Sequence, residues 1–204
     1  MALDASIALI TLEKAKSFIK IPISETAQDD LVEDFINEAS TLINNYCNRK
    51  FVEQAFTEYH NGSGGWTFMP RAFPVISITE LYDDIDRLYA TPLDSSLYAI
   101  SNDEKGEGYE VERFDCIFTR SRRNVKIVFQ GGYANIPYDL QLACKVTMAY
   151  YYQKQQQQDW TTATQSKGDE DITLIQGIPE SATKLLDKFK RLEILGDDEP
   201  VRNR

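Results

Sequence analysis

"VFQGGYANIPYDLQLACKVTMAYYY", residues 128–152, carries the chain from a strand pattern into a helix pattern through paired glycines. Just upstream, Val125, Ile127 and Phe129 alternate with Lys126 and Gln130, the period of a half-buried strand. Pro137 suits the first position of a helix. From Leu140 to Tyr152 apolar residues cover nearly every face, leaving a narrow polar stripe through Gln141 and Lys145. A helix of that kind packs on several sides, so it reads as the centre of a bundle. Glycines before a helix can also cradle a phosphate, but such loops use G-x-x-x-x-G-K-[ST] or G-x-G-x-x-G spacing and open amides. Here no lysine follows, and Pro137 removes one amide. Gly131, Gly132 and Pro137 therefore read as a structural turn in which glycine supplies positive φ.

Two helices precede this stretch. "TLEKAKSFIKI" (11–21) has Thr11 as a cap and Ala15, Phe18 and Ile19 at helical spacing before Pro22 ends it. "TAQDDLVEDFINEASTLINNYCNRKF" (26–51) has Thr26 and Asp29 at capping-box spacing. Its apolar stripe steps through Leu31, Phe35, Ala39, Leu42 and Tyr46, widened by Ile36 and Ile43, which predicts an amphipathic helix of about five turns. From Phe51 to Gln130 aromatic and β-branched runs are broken by "NGSGG" (61–65), Pro70, Pro74, Pro92 and "NDEKGEG" (102–108). That texture predicts a small, mostly antiparallel β-region. "QKQQQQDWTTATQSKGDED" (153–171) is polar and biased and reads as a flexible segment. A last helix opens at Pro179, with Ala182, Leu185, Leu186, Phe189 and Leu192 as its stripe and Gly196 as its stop.

The expected architecture is α+β: a small bundle of about four helices with an antiparallel β-rich insertion between the second and third long helices. The segments are 1–50 (N-terminal helices), 51–130 (β-insertion), 131–157 (central helix), 158–177 (flexible polar segment) and 178–204 (C-terminal helix and tail).

Composition removes several functional classes. The net charge of −10 is the wrong sign for a protein that grips nucleic acid by its phosphates. No apolar run approaches the roughly 20 residues that cross a bilayer, so no membrane partner is expected. "MALDASIALITLEKAK" has no basic start and runs into a helix pattern, so it is not read as a signal peptide. Cys47, Cys116 and Cys144 are odd in number and widely spaced, as expected for reduced thiols.

Catalytic and metal signatures are equally thin. His60 is the one histidine, set beside a Gly-rich turn and read as a surface turn residue. No C-x-x-C pair or G-x-S-x-G elbow accompanies it. Asp83, Asp84 and Asp86 could chelate a hard cation, but they lack EF-hand spacing and read as a turn. No catalytic residue, metal ligand or cofactor is assigned. The one dense basic patch, Arg120, Arg122, Arg123 and Lys126, is a candidate subunit-interface or DNA-facing surface.

"ITLEKAKSFIKI" (10–21), "DDLVEDFINEASTLINNYCNRKF" (29–51), "MPRAFPVISITELYDD" (69–84) and "VKIVFQGGYANIPYDLQLACKVTMAYYY" (125–152) come in an order that resembles the tailed-bacteriophage head–tail connector family, also called adaptor or head-completion proteins, in its longer form with a β-rich insertion. The resemblance covers roughly residues 10–152. It implies a structural, non-enzymatic virion protein that forms a ring of about a dozen copies under the portal. Such a ring extends the DNA channel after packaging and offers a landing surface to the tail or a stopper protein. The implied partners are the portal, further copies of the chain, the tail or stopper, and DNA passing without sequence-specific binding. The implied location is the head–tail interface of a virion assembled in the host cytoplasm. By this analogy Leu185, Leu186, Phe189 and Leu192 are expected to dock on the portal. Three alternatives stay open: a tail-completion protein, a packaging accessory that contacts DNA through Arg120–Lys126, and, with little in the sequence for it, an enzyme using the acidic loop and a divalent cation.

Overall fold

A computed structural model of the chain describes residues 2–102, 106–156 and 177–190. It is an α+β protein in two compact units, a helical one (Met1–Arg49 with Asn135–Arg191) and a β one that includes Lys50–Ala134. The β unit is inserted between the second and third helices, as the sequence order requires. Among the described residues no helix is long and apolar enough to cross a membrane.

In the helical unit, α1 (Leu12–Ile19) starts at Thr11, whose hydroxyl accepts from the Lys14 amide, and stops at Lys20 in the left-handed region (φ 63°). Its buried side runs through Ala15 and Lys16, while Phe18 stays 42 % exposed, against the expectation that Phe18 belonged to the stripe. Lys16 is buried because its ammonium has acceptors: Ile23 O at 3.1 Å, Glu25 O, and Asp29 Oδ1 at 2.6 Å. This staples the α1–α2 connection. It also takes the Asp29 carboxylate away from the capping box predicted with Thr26: α2 (Asp29–Cys47) begins after Gln28 with no side-chain cap.

α2 buries Val32, Phe35, Ile36, Ala39, Ser40, Ile43 and Cys47. Leu31, Leu42 and Tyr46 sit at the margin, so the buried stripe is rotated about one residue from the expected one. α3 (Tyr138–Gln156) packs against α1, α2 and α4 (Glu180–Leu186), which makes it the central helix. Gln141, expected on the polar stripe, is buried instead. Its side chain donates to Ile136 O at 2.7 Å and accepts from Lys14 Nζ at 2.9 Å, so two hydrogen bonds satisfy the amide in place of water. Ser40 Oγ accepts from the Leu9 amide at 3.1 Å and lies 3.6 Å from Cys144 Sγ.

Among the described residues the β unit holds two three-stranded antiparallel sheets. One has the order β1 (Gln54–Gly62), β6 (Ser121–Gly131), β3 (Val75–Asp83); the other β2 (Thr67–Phe68), β5 (Gly108–Arg113), β4 (Tyr98–Asn102). Val125, Ile127 and Phe129 face inward, as their alternation predicts, and form the core with Val75, Leu81, Val111 and Phe118. Phe56 and Phe129, register partners across β1 and β6, stack at 5.6 Å. Gly62 ends β1 where a Cβ would lie 1.8 Å from Thr119 O, so no side chain fits there.

Candidate interaction surfaces

β6 opens inside the basic patch, and its register decides what the four cations can do. Lys126 pairs across the sheet with Tyr59 on β1 and Tyr82 on β3, so a cation is flanked by two rings. Its ammonium lies 4.8 Å from the Tyr82 ring centre and 5.7 Å from that of Tyr89. Arg123 adopts φ 49°, its amide donates to Asn61 Oδ1 at 2.8 Å, and its guanidinium covers the Tyr59 ring at 5.2 Å. The Tyr89 hydroxyl donates to Arg123 O. Arg123, exposed, and Lys126, half-buried, therefore stand on an aromatic floor of Tyr59, Tyr82 and Tyr89, where cation–π contact favours these positions. Arg120 and Arg122 are exposed.

The C-terminal set is divided by the fold. Ala182 and Leu186 are fully buried in the helical unit, and Cys47 Sγ lies 3.9 Å from Leu186 O. Leu185 and Phe189 are half-buried, and Leu192 lies outside the described residues. The expected helix from Pro179 is shorter than its apolar pattern: after Leu186 the backbone tightens to a 3-10 turn (Asp187–Phe189) and extends at Lys190. Arg49 Nη1 donates to Phe189 O at 3.3 Å, Tyr46 donates to Asp187, and Lys188 pairs with Asp139. These bonds tie the turn to α2 and α3. The polar segment 158–177 lies outside the described residues apart from Gly177.

The glycine turn has specific geometry. Gly131 ends β6 between Gln54 and Val75, and Gly132 has φ 97°, with a would-be Cβ 2.6 Å from Val52 O. Pro137 O accepts the first α3 bond from the Gln141 amide.

The readings of His60 and Asp83 change, while Asp84 makes the expected turn. His60 is not a surface turn residue: it lies in β1, 6 % exposed, with Nε2 2.7 Å from Glu58 Oε2 and its ring 5.1 Å from that of Phe68. Apolar and paired surroundings outweigh the neighbouring glycines. Asp83, Asp84 and Asp86 do not converge either. Asp83 points inward to Arg113, Thr119 and Asn124, while Asp84 accepts from the amides of Asp86, Leu88 and Tyr89. Those amides hold the Asp84 carboxyl below its usual range. Among the described residues no group of three His, Cys, Asp or Glu side chains could hold a metal ion.

One surface has no counterpart in the sequence reading. Thr57 to Asn61 line a cavity of about 240 Å³ together with Arg71 and Arg123. Glu58 sits in it with one oxygen on the Arg71 amide at 2.7 Å and the other on the Ala72 amide at 2.8 Å. Burial pushes its carboxyl up, but His60 and these two amides together hold it below the ordinary glutamate range. The alternation in "FTEYH" was the available signal, since it places Glu58 on the inward face with Phe56 and His60.

Residues 8–192 match the family model for head completion protein. The chain belongs to the head completion protein family. That makes it a structural protein of the bacteriophage virion with a head–tail connector role. No curated protein matches this head completion protein in sequence. Among solved structures, its fold is similar to a chain in the neck of an empty gene transfer agent (GTA) particle with C6 symmetry, at 15 % identity and TM-score 0.63. It is likewise similar to chains of the native GTA virion and of the native GTA neck with C12 symmetry, each at 15 % identity and TM-score 0.61. In all three the likeness covers 96 % of this chain and 95 % of the other. The head completion protein thus shares a whole two-unit fold with those neck chains.

Proposed function

We propose that the protein closes into a ring of about a dozen copies beneath the portal, extends the DNA channel, and receives the tail or a stopper protein on its far side. Membership of the head completion family over residues 8–192 carries this reading. The neck chains that share the fold belong to particles described with C6 and C12 symmetry, and a ring of twelve serves either operator. Ring contacts are heterologous, one face of each copy meeting a different face of the next. An acidic chain with exposed Arg120 and Arg122 at the start of β6 carries faces of both signs. A net charge of −10 also suits a channel that releases phosphates instead of holding them. On the portal side we place Leu185 and Phe189, with buried Leu186 anchoring them to α3.

Native mass spectrometry of the protein mixed with its portal tests the proposal. A closed complex with equal numbers of both chains is expected. A chain that stays monomeric and ignores the portal overturns it.

A further inference from the structure

Successive side chains of a strand point to opposite faces, yet the five consecutive residues Thr57 to Asn61 line one cavity. Neighbours in a row share a cavity when it runs along the open edge of the strand, where both faces and the backbone meet it. β1 has β6 on one side and, among the described residues, no strand on the other. An antiparallel edge directs alternate N–H and C=O groups outward. Soluble proteins blunt such edges by keeping them short or by placing proline or lysine on them. β1 runs nine residues, "QAFTEYHNG", without proline or lysine, and its pairing with β6 is regular from Gln54 to His60, with a bulge between His60 and Gly62 and one inward charge, Glu58.

The cavity beside this edge is lined by two arginines and one acid. The acid in the cavity, Glu58, is committed to the Arg71 and Ala72 amides and to His60. The exposed Arg123 guanidinium lies over Tyr59, 5.2 Å from its ring centre, and brings its N–H donors to the cavity wall. Arg71 contributes a second guanidinium to the lining.

From this geometry we infer that the β1 edge is a strand-addition site: an extended segment of a partner protein pairs its backbone with Gln54–Gly62 and sets a carboxylate side chain against Arg71 and Arg123. Main-chain pairing supplies the affinity and the two arginines select the acidic side chain. The connector role enters only as the reason protein segments arrive there, so the edge can be tested without portal or ring.

The probe is a fluorescein-labelled octapeptide of alternating threonine and valine with one central glutamate, titrated into the full chain by fluorescence anisotropy. Saturable binding is expected, weaker by about tenfold or more with glutamine in place of the glutamate and lost with lysine. N-methylation of alternate peptide amides abolishes binding, because it removes the donors that extend the sheet. Arg71→Ala with Arg123→Ala weakens binding by about tenfold or more, and Arg122→Ala leaves it unchanged. The peptide controls use the unaltered protein, so a variant that fails to fold does not decide the matter. No binding, equal binding of the glutamate and lysine peptides, or undiminished binding of the methylated peptide overturns the inference. Release of subunits from a homo-oligomer by the peptide assigns the edge to a second copy and overturns it too. A protein that binds the peptide but ignores the portal keeps this site and loses the ring.

Discussion

Asp83 and Arg113 meet at 2.9 Å with both side chains almost wholly out of water, at 2 % and 8 % exposure. Asp83 also accepts from the Thr119 amide and hydroxyl and from Asn124 Nδ2, so one carboxylate ties β3 to β5 and to the start of β6. Removing one member of a buried pair costs far more than the pair contributes, because the other charge stays behind desolvated. Asp83→Ala should lower stability by about 3–5 kcal/mol in urea unfolding. A loss under about 1 kcal/mol would mean that Arg113 is satisfied by Asp115 alone.

Thr147 on α3 is fully buried, and its hydroxyl finds no hydrogen-bond partner among the described residues. Thr147→Val keeps the shape and removes the desolvated oxygen, so it should stabilise the protein by about 1 kcal/mol. Ser40→Ala is the contrast. It strands the Leu9 amide and should cost about 1–2 kcal/mol. Thermal melts of the two variants should move in opposite directions, and movement the same way would contradict this account.

Lys16→Met keeps the aliphatic stem and deletes the ammonium that joins Ile23, Glu25 and Asp29. Hydrogen exchange should accelerate across 20–28 while the α3 amides keep their protection. Uniform acceleration through the whole helical unit would show that the staple supports the entire bundle.

Glu58 links stability to pH. Its folded pKa lies below the unfolded value, so the ionised form favours the fold. The stabilisation is fully present above the ordinary glutamate range and fades as pH falls through the lowered folded value. Glu58→Gln should therefore reduce stability at neutral pH and flatten its acid-side slope. An unchanged slope between the two proteins would remove Glu58 as a source.

Burial pushes the Cys47 thiol up to about 11 and the Cys144 thiol up to about 12, whereas Cys116 is exposed. A thiol-specific disulfide reagent should react with Cys116 alone in the native protein and with all three cysteines in denaturant. Rapid native reaction of Cys144 would reveal opening between α2 and α3.

Periodicity made the framework readable because it reports burial on one side of a regular element. The alternation Val125, Ile127, Phe129 fixed the inward face of β6, and the all-round apolar run from Leu140 to Tyr152 fixed the central helix. What periodicity could not show was polar groups buried with partners far along the chain. Lys16 looks like a solvent-facing lysine until Ile23, Glu25 and Asp29 surround it. Gln141 looks like a surface amide until Lys14 and Ile136 satisfy it. The β1 groove was hidden for another reason: which strand lies at a sheet edge follows from pairing order, and β1 pairs with the last strand of its unit.

That pairing has a further consequence. Gln54 and Gly131 are register partners, and Val52 bridges Tyr133, so the inserted unit begins and finishes at a single neck of adjacent backbone. A chain whose two ends already touch behaves as a detachable cassette. Its loops can lengthen or its strands be exchanged with little change in the separation that Arg49 and Asn135 must bridge. Phages could thus retool one half of this protein for new neighbours while the helical half keeps its own sequence and fold.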